Sequence, residues 1–170
     1  MTRRAVVQKW ILYSLCALAL VLVQSLLLVR VQVWGVHPFL LPAIAVIPVT
    51  LERDEGALLF SVFFGLACDL LTPVAGLPCF YALAFLVSGG LAWLLSGRVV
   101  AAGLVCSLAA AASALVVCGV LHLAVLAGSQ SVDVTAAAAV LAGKEAALSL
   151  PLTVLVHYPF RRICLLTQRD

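Results

Sequence analysis

Long apolar runs broken by short polar punctuation divide this chain into six segments, at 10–29, 39–51, 57–71, 79–95, 99–127 and 134–157. Arg30 closes the first. Pro42 and Pro48 interrupt the second, and the charged run Glu52-Arg53-Asp54-Glu55-Gly56 ends it. Pro73, Gly76 and Pro78 mark the turn after the third, and Ser96-Gly97-Arg98 separates the fourth from the fifth. The loop at 128–133 is polar, and Pro159 with Arg161-Arg162 stops the sixth. Apolar stretches of this kind read as α-helices crossing a bilayer, because lipid offers backbone amides and carbonyls no partners outside their own helix. The first run follows Arg3, Arg4 and Lys9, as a secretory signal would. It reaches about 30 Å as a helix and no small-residue cleavage site follows it, so it reads as a retained span.

The segment at 39–51 rises about 20 Å as a helix, against about 30 Å of hydrocarbon, so its crossing has to be argued from charge. If it crosses, with the N-terminus inside, then Arg3, Arg4, Lys9, Arg53, Arg98, Arg161, Arg162 and Arg169 are all cytoplasmic. Arg30 is then outside and Lys144 within the membrane. If it does not cross, Arg30, Arg53, Arg98, Arg161, Arg162 and Arg169 fall outside. The positive-inside bias selects the first arrangement, an all-α bundle of six transmembrane helices with both termini cytoplasmic. Each of the two prolines removes a backbone donor, so this helix is expected to be buried or kinked inside the bundle, away from lipid. Trp10, Trp34 and Trp93 fall near segment ends, where interfacial aromatics belong.

Composition agrees with a membrane domain. Hydrophobic residues are 65% of the chain, charged residues 10%, and the mean hydropathy is +1.24. So few charges cannot cover the surface of a soluble domain of 170 residues. The net charge of +3 follows from the topology, and no basic stripe with interleaved aromatics marks a nucleic-acid surface. Six cysteines, at 16, 68, 79, 106, 118 and 164, form no C-x-x-C pair and read as small packing residues.

Small residues recur every four positions in the last two segments: Ala102, Cys106, Ala110, Ala114 and Cys118, then Ala139, Gly143 and Ala147. Such stripes let membrane helices approach closely. The simplest reading packs the two helices on each other; the other reading makes them a docking face for a partner helix. The polar groups within the segments are Gln24, Asp69, His122, Lys144 and Glu145. Burial of a charge in a membrane needs a partner, so an ion pair between Asp69 and Lys144 across the bundle is expected.

Enzyme templates find no footing. His37, His122 and His157 lie in different segments with no H-x-x-x-H, so neither a zinc site nor any other metal or cofactor site is expected. Gly89-Gly90 lacks the Lys-Ser/Thr of a phosphate loop. The acidic cluster Glu52, Asp54 and Glu55 is interleaved with Arg53 and reads as a solvated turn.

The stretch from Glu55-Gly56 through Ser61, Gly65-Leu66 and Asp69, followed by Ala75-Gly76-Leu77 and Tyr81-Ala82-Leu83, resembles the rod shape-determining protein MreD family. Ser61 stands where that pattern often has a further glycine. The resemblance implies close helix contacts at Gly56 and Gly65, a cap or pair at Asp69, a turn at Gly76, and a fold similar to the substrate-binding subunits of energy-coupling-factor transporters. It further implies a non-catalytic scaffold of the cell-elongation machinery. Its partners would be a single-span MreC-like protein, the peptidoglycan glycosyltransferase and transpeptidase held through it, and indirectly MreB filaments. Gly65, Asp69 and Gly76 are the expected partner face. The alternative is a vitamin-binding subunit of an energy-coupling-factor transporter. Against it, the first segment has only Ala17 and Ala19, with Tyr13 and Val21 at four-residue spacings where a docking alanine row would stand.

Overall fold

The structure, a computed structural model, describes residues 3–72, 78–98, 103–128 and 132–167. Six α-helices form: α1 (Arg3–Leu26), α2 (Leu41–Glu52), α3 (Glu55–Leu71), α4 (Phe80–Arg98), α5 (Leu104–Ala127) and α6 (Val132–Thr167). A single 3-10 turn, Leu28–Arg30, extends α1. Among the described residues no strand is present; one bridge, Val33 to Val36, closes a tight turn over Trp34 and Gly35, both at positive φ. The chain is all-α, and α1, α4, α5 and α6 are long and apolar enough to cross a membrane.

Successive helices run antiparallel, with α2 at the centre, touching each of the other five. Residues Pro42 to Thr50 are buried without a break, as the two prolines require in a lipid-embedded bundle. The free donors at the start of α2 are met by its neighbours: the Phe39 amide donates to Ser149 Oγ of α6 at 2.8 Å, and the Leu40 amide to Gln24 Oε1 of α1 at 3.0 Å. Gln24 is thus explained, as the acceptor that seats a short helix. At the other end Arg53, at φ 55°, closes α2 in the left-handed region, and Asp54 caps α3 by accepting from the Ala57 amide at 2.8 Å.

Two boundaries differ from the sequence reading in ways that packing explains. α4 continues through Ser96-Gly97-Arg98, because Ser96 turns its hydroxyl back onto the Trp93 carbonyl and is buried. α6 runs through Pro159 and Arg161-Arg162 to Thr167, because Phe160 and Cys164 are buried on that last stretch and packing outweighs one lost backbone bond. The start placed at 99 for the fifth segment lies outside the described residues.

The two stripes of small residues also part company. Cys106, Ala110, Ala114 and Cys118 are buried, the last three in the core that α5 shares with α2 and α4, while Ala102 lies outside the described residues. Ala139, Gly143 and Ala147 are exposed, and a methyl group added at Gly143 would meet nothing within 4 Å. The α5–α6 contact uses a neighbouring face of α6, where Ala142 faces Gly119.

Glycine matters most at Gly65. A Cβ there would lie 2.7 Å from the Ala82 Cα and from the Tyr81 carbonyl oxygen, so the backbones of α3 and α4 touch. Gly65→Ala should therefore lower stability by about 1–3 kcal/mol through overpacking. Gly90→Ala, where nothing lies within 4 Å, should leave it unchanged or raise it by about 0.5–1 kcal/mol. Thermal unfolding of the two variants in one mild detergent compares them directly.

Candidate functional site

The helix α3 carries the residues singled out by the resemblance, and most of them face α4. Ala57, Ser61 and Gly65 are buried at four-residue spacing, and Asp69 continues the row. Ser61 donates to the Phe85 carbonyl at 3.1 Å and sits 3.2 Å from where a Cβ of Gly89 would be. A hydroxyl thus occupies the place a glycine would otherwise take. Asp69 reaches across to the start of α4, where its two carboxylate oxygens accept from the Tyr81 and Ala82 amides at 2.8 and 2.9 Å. These are free donors at a helix N-terminus, where the helix dipole also favours a negative charge. Asp69 is the N-cap of α4, supplied by a different helix.

The expected Asp69–Lys144 ion pair does not form. Both oxygens of Asp69 are engaged by α4, and Lys144 lies on the exposed face of α6. Nor is Lys144 deep in the bundle: its neighbour Glu145 lines a cavity together with Phe80 and Tyr81, level with the start of α4. Gly65 is buried against α4, and Asp69, half-buried, spends both oxygens on the same helix. Gly76 lies outside the described residues. Gly56 is packed under the Trp10 ring, where a Cβ would come within 2.8 Å of the indole.

At the end of the bundle holding both chain termini, Arg53, Asp54 and Glu55 are exposed, as expected of a solvated turn, but Glu52 is drawn into a buried ionic cluster. Lys9 Nζ of α1 meets Glu52 Oε2 of α2 at 2.7 Å, with side chains 6% and 8% exposed. Tyr13 donates to the other oxygen, Glu52 Oε1, at 2.7 Å, and Asp54 lies 3.7 Å from the same ammonium. The Trp10 ring lies beside Lys9 at 5.3 Å, and Phe160 of α6 stacks on Tyr13 at 5.7 Å. One helical turn deeper, Ser107 of α5 bridges Thr50 at 3.0 Å and His157 Nδ1 at 2.9 Å, while His157 Nε2 is buried without a hydrogen bond. Sequence reasoning missed this cluster because Lys9 and Glu52 each sit at the edge of an apolar run. The available signal was the four-residue spacing of Lys9 and Tyr13, which puts ammonium and phenol on one helix face.

At the opposite end, a cavity of about 190 Å³ opens between α4, α5 and α6, with Glu145 and His122 among its walls. On the flank, α1 and α3 touch through Trp10, Gly56 and Phe60, then diverge. The groove between them measures about 260 Å³ and is lined by Ala17, Leu18, Phe63, Phe64 and Ala67 among others. The six cysteines are all free thiols, four of them buried. Among the described residues no group of three or more His, Cys, Asp or Glu side chains is placed to hold a metal ion.

No protein family, characterised protein or solved structure matches this chain.

Two measurements test these assignments. Asp69→Ala should cost about 1–3 kcal/mol, the penalty for leaving α4's amides without an acceptor, whereas Lys144→Ala should change stability by less than about 0.5 kcal/mol. Equal losses on thermal unfolding would restore the ion pair. For the inner cluster, Lys9→Met leaves a buried carboxylate unpaired and should cost about 3–5 kcal/mol. Adding Glu52→Gln to Lys9→Met should recover part of that loss, which a double-mutant cycle measures.

Proposed function

We propose that this chain is a non-catalytic scaffold of the peptidoglycan-elongation machinery, of the kind the rod shape-determining protein MreD family provides. In this reading it sits in the bacterial cytoplasmic membrane as six spans. Four are the long helices; α2 crosses as a short helix shielded on all sides, and α3, at 17 residues, crosses with about 25 Å of rise. The N-terminus and the C-terminus are cytoplasmic. Charge supports that orientation. Lys9, Arg53, Arg161 and Arg162 belong to the end of the bundle that holds the termini, and Arg30 to the other end.

The observation that carries the scaffold reading is the groove between α1 and α3. α1 is a peripheral helix: 11% of its membrane-length stretch is buried, against 44% in α4. Its far face and that of α3 leave Leu18 and Phe63 exposed around the small residues Ala17 and Ala67. Small residues flanked by large apolar ones suit the close seating of one more transmembrane helix. A single-span MreC-like protein is the partner of that shape, and through it the glycosyltransferase and transpeptidase are held. The connections between helices are short, so grip through helix faces is what this chain has to offer. The residues behind the resemblance, Gly56, Gly65 and Asp69, set the angle of α3 against α4 and α1, and so shape the groove from behind.

Co-expression with an MreC-like bitopic protein and recovery in mild detergent tests the proposal. Ala67→Trp should reduce recovery of the partner at least tenfold, while Val116→Trp, on an exposed site of α5, should leave it unchanged. Equal recovery with both variants would remove the groove from the interface. Purification with a bound vitamin and no bitopic partner would move the chain to the transport class.

A further inference from the structure

The cavity between α4, α5 and α6 has a chemical character that the scaffold reading does not use. Its titratable walls are His122 of α5 and Glu145 of α6, the latter half-buried one position from the exposed Lys144. Among the described residues no hydrogen bond or ion pair reaches the Glu145 carboxylate. The titratable group that acts on it is the imidazole of His37, which bonds Gln32 at 3.2 Å through Nε2 and has its buried Nδ1 unpartnered. A half-buried carboxylate that only a titratable imidazole balances attracts a further cation.

The remaining walls select the kind of cation. Phe80 and Tyr81 stand at right angles with centroids 5.2 Å apart, Phe39 leans on Tyr81 at 6.3 Å, and His122 meets Phe80 edge to face at 6.2 Å. Three rings set at angles to one another make a corner, and ring faces carry negative charge that attracts a cation. A hard metal ion finds too few oxygen donors here, since one carboxylate stands where calcium needs six or more ligands. An anion is repelled by Glu145 and by the ring faces. The space of about 190 Å³ suits a compact molecule.

We propose that this cavity binds a small organic ammonium ion, its charge set against Glu145 and its carbon substituents against Phe39, Phe80 and Tyr81. The site faces the end of the bundle opposite the chain termini, so on the topology above it takes its ligand from outside the cell. It is independent of the α1–α3 groove, and either can stand without the other.

The test uses the full chain purified in an uncharged detergent and titrated with choline, tetramethylammonium and n-butylammonium. The neutral carbon analogue of choline, 3,3-dimethylbutan-1-ol, is the comparison. Ligand-induced shifts of the unfolding temperature give apparent affinities. At least one ammonium should bind tenfold or more tightly than the neutral analogue. Glu145→Gln should abolish that preference. Phe80→Leu, which keeps the charge and removes a ring face, should weaken ammonium binding severalfold, and Lys144→Gln should leave it unchanged. If no ammonium binds better than the neutral analogue, the proposal is overturned. It also falls if the preference survives in Glu145→Gln. Should that variant not fold, undiminished ammonium binding by Phe80→Leu is the result that refutes the aromatic cage.

Discussion

A helix that begins or ends inside a lipid-embedded bundle must have its free amides and carbonyls met by protein, because the surrounding solvent can meet none of them. That constraint organises this fold. The twelve-residue α2 both starts and stops among its neighbours, and α4 starts beside the end of α3. At each start the closing group is a side chain from another helix: Gln24 and Ser149 for α2, and Asp69 for α4. Lys9 and Tyr13 add a further tie, to the Glu52 carboxylate in the last turn of α2. Helix ends are thereby converted into tertiary contacts, and the short central helix is bound to α1 and α6 by polar bonds as well as by packing. In a medium where apolar burial drives little association between helices, such bonds and close backbone contact do much of the assembly.

Much of this was legible in the chain. The six segments correspond to the six helices, since apolar runs of this length and their charged or proline-glycine interruptions leave few alternatives. The prolines at 42 and 48 foretold the burial of α2. The resemblance at Gly65 and Asp69 implied a close helix contact and a cap or pair, and the α3–α4 seam lies there. Other features were hidden for physical reasons. Ser96-Gly97-Arg98 and Pro159 read as stops by local propensity, and burial of Ser96, Phe160 and Cys164 overrode it. Lys144 was expected to seek Asp69, but the free amides of a helix N-terminus carry partial positive charge, and those of Tyr81 and Ala82 take both carboxylate oxygens. The Lys9–Glu52 pair joins residues 43 positions apart, each at the margin of an apolar run, where a solvated role explains a charge equally well.

The two ends of the bundle are built differently. The end with the chain termini is closed by ionic and aromatic contacts: Lys9, Glu52 and Tyr13, then Trp10 and Phe60, with Phe160 beneath Tyr13. A line of rings, Phe60, Phe64, Phe85 and Tyr81, then runs up the interior to the opposite end. There the packing loosens into the cavity beside Glu145 and His122. Rigidity at one pole with open volume at the other places any change of shape at the cavity end, while the end with the chain termini holds the helices in register.

The length of α6 carries a mechanical consequence. Its 36 residues rise about 54 Å, against about 36 Å for the 24 residues of α5. The run before Glu145 is rich in alanine and opens with Asp133 in its first turn. It is braced by α5, where Ala142 faces Gly119 and the partner helix continues to Ala127. Two rods in contact resist bending more than one alone, so the far half of the longest helix is steadied by its neighbour.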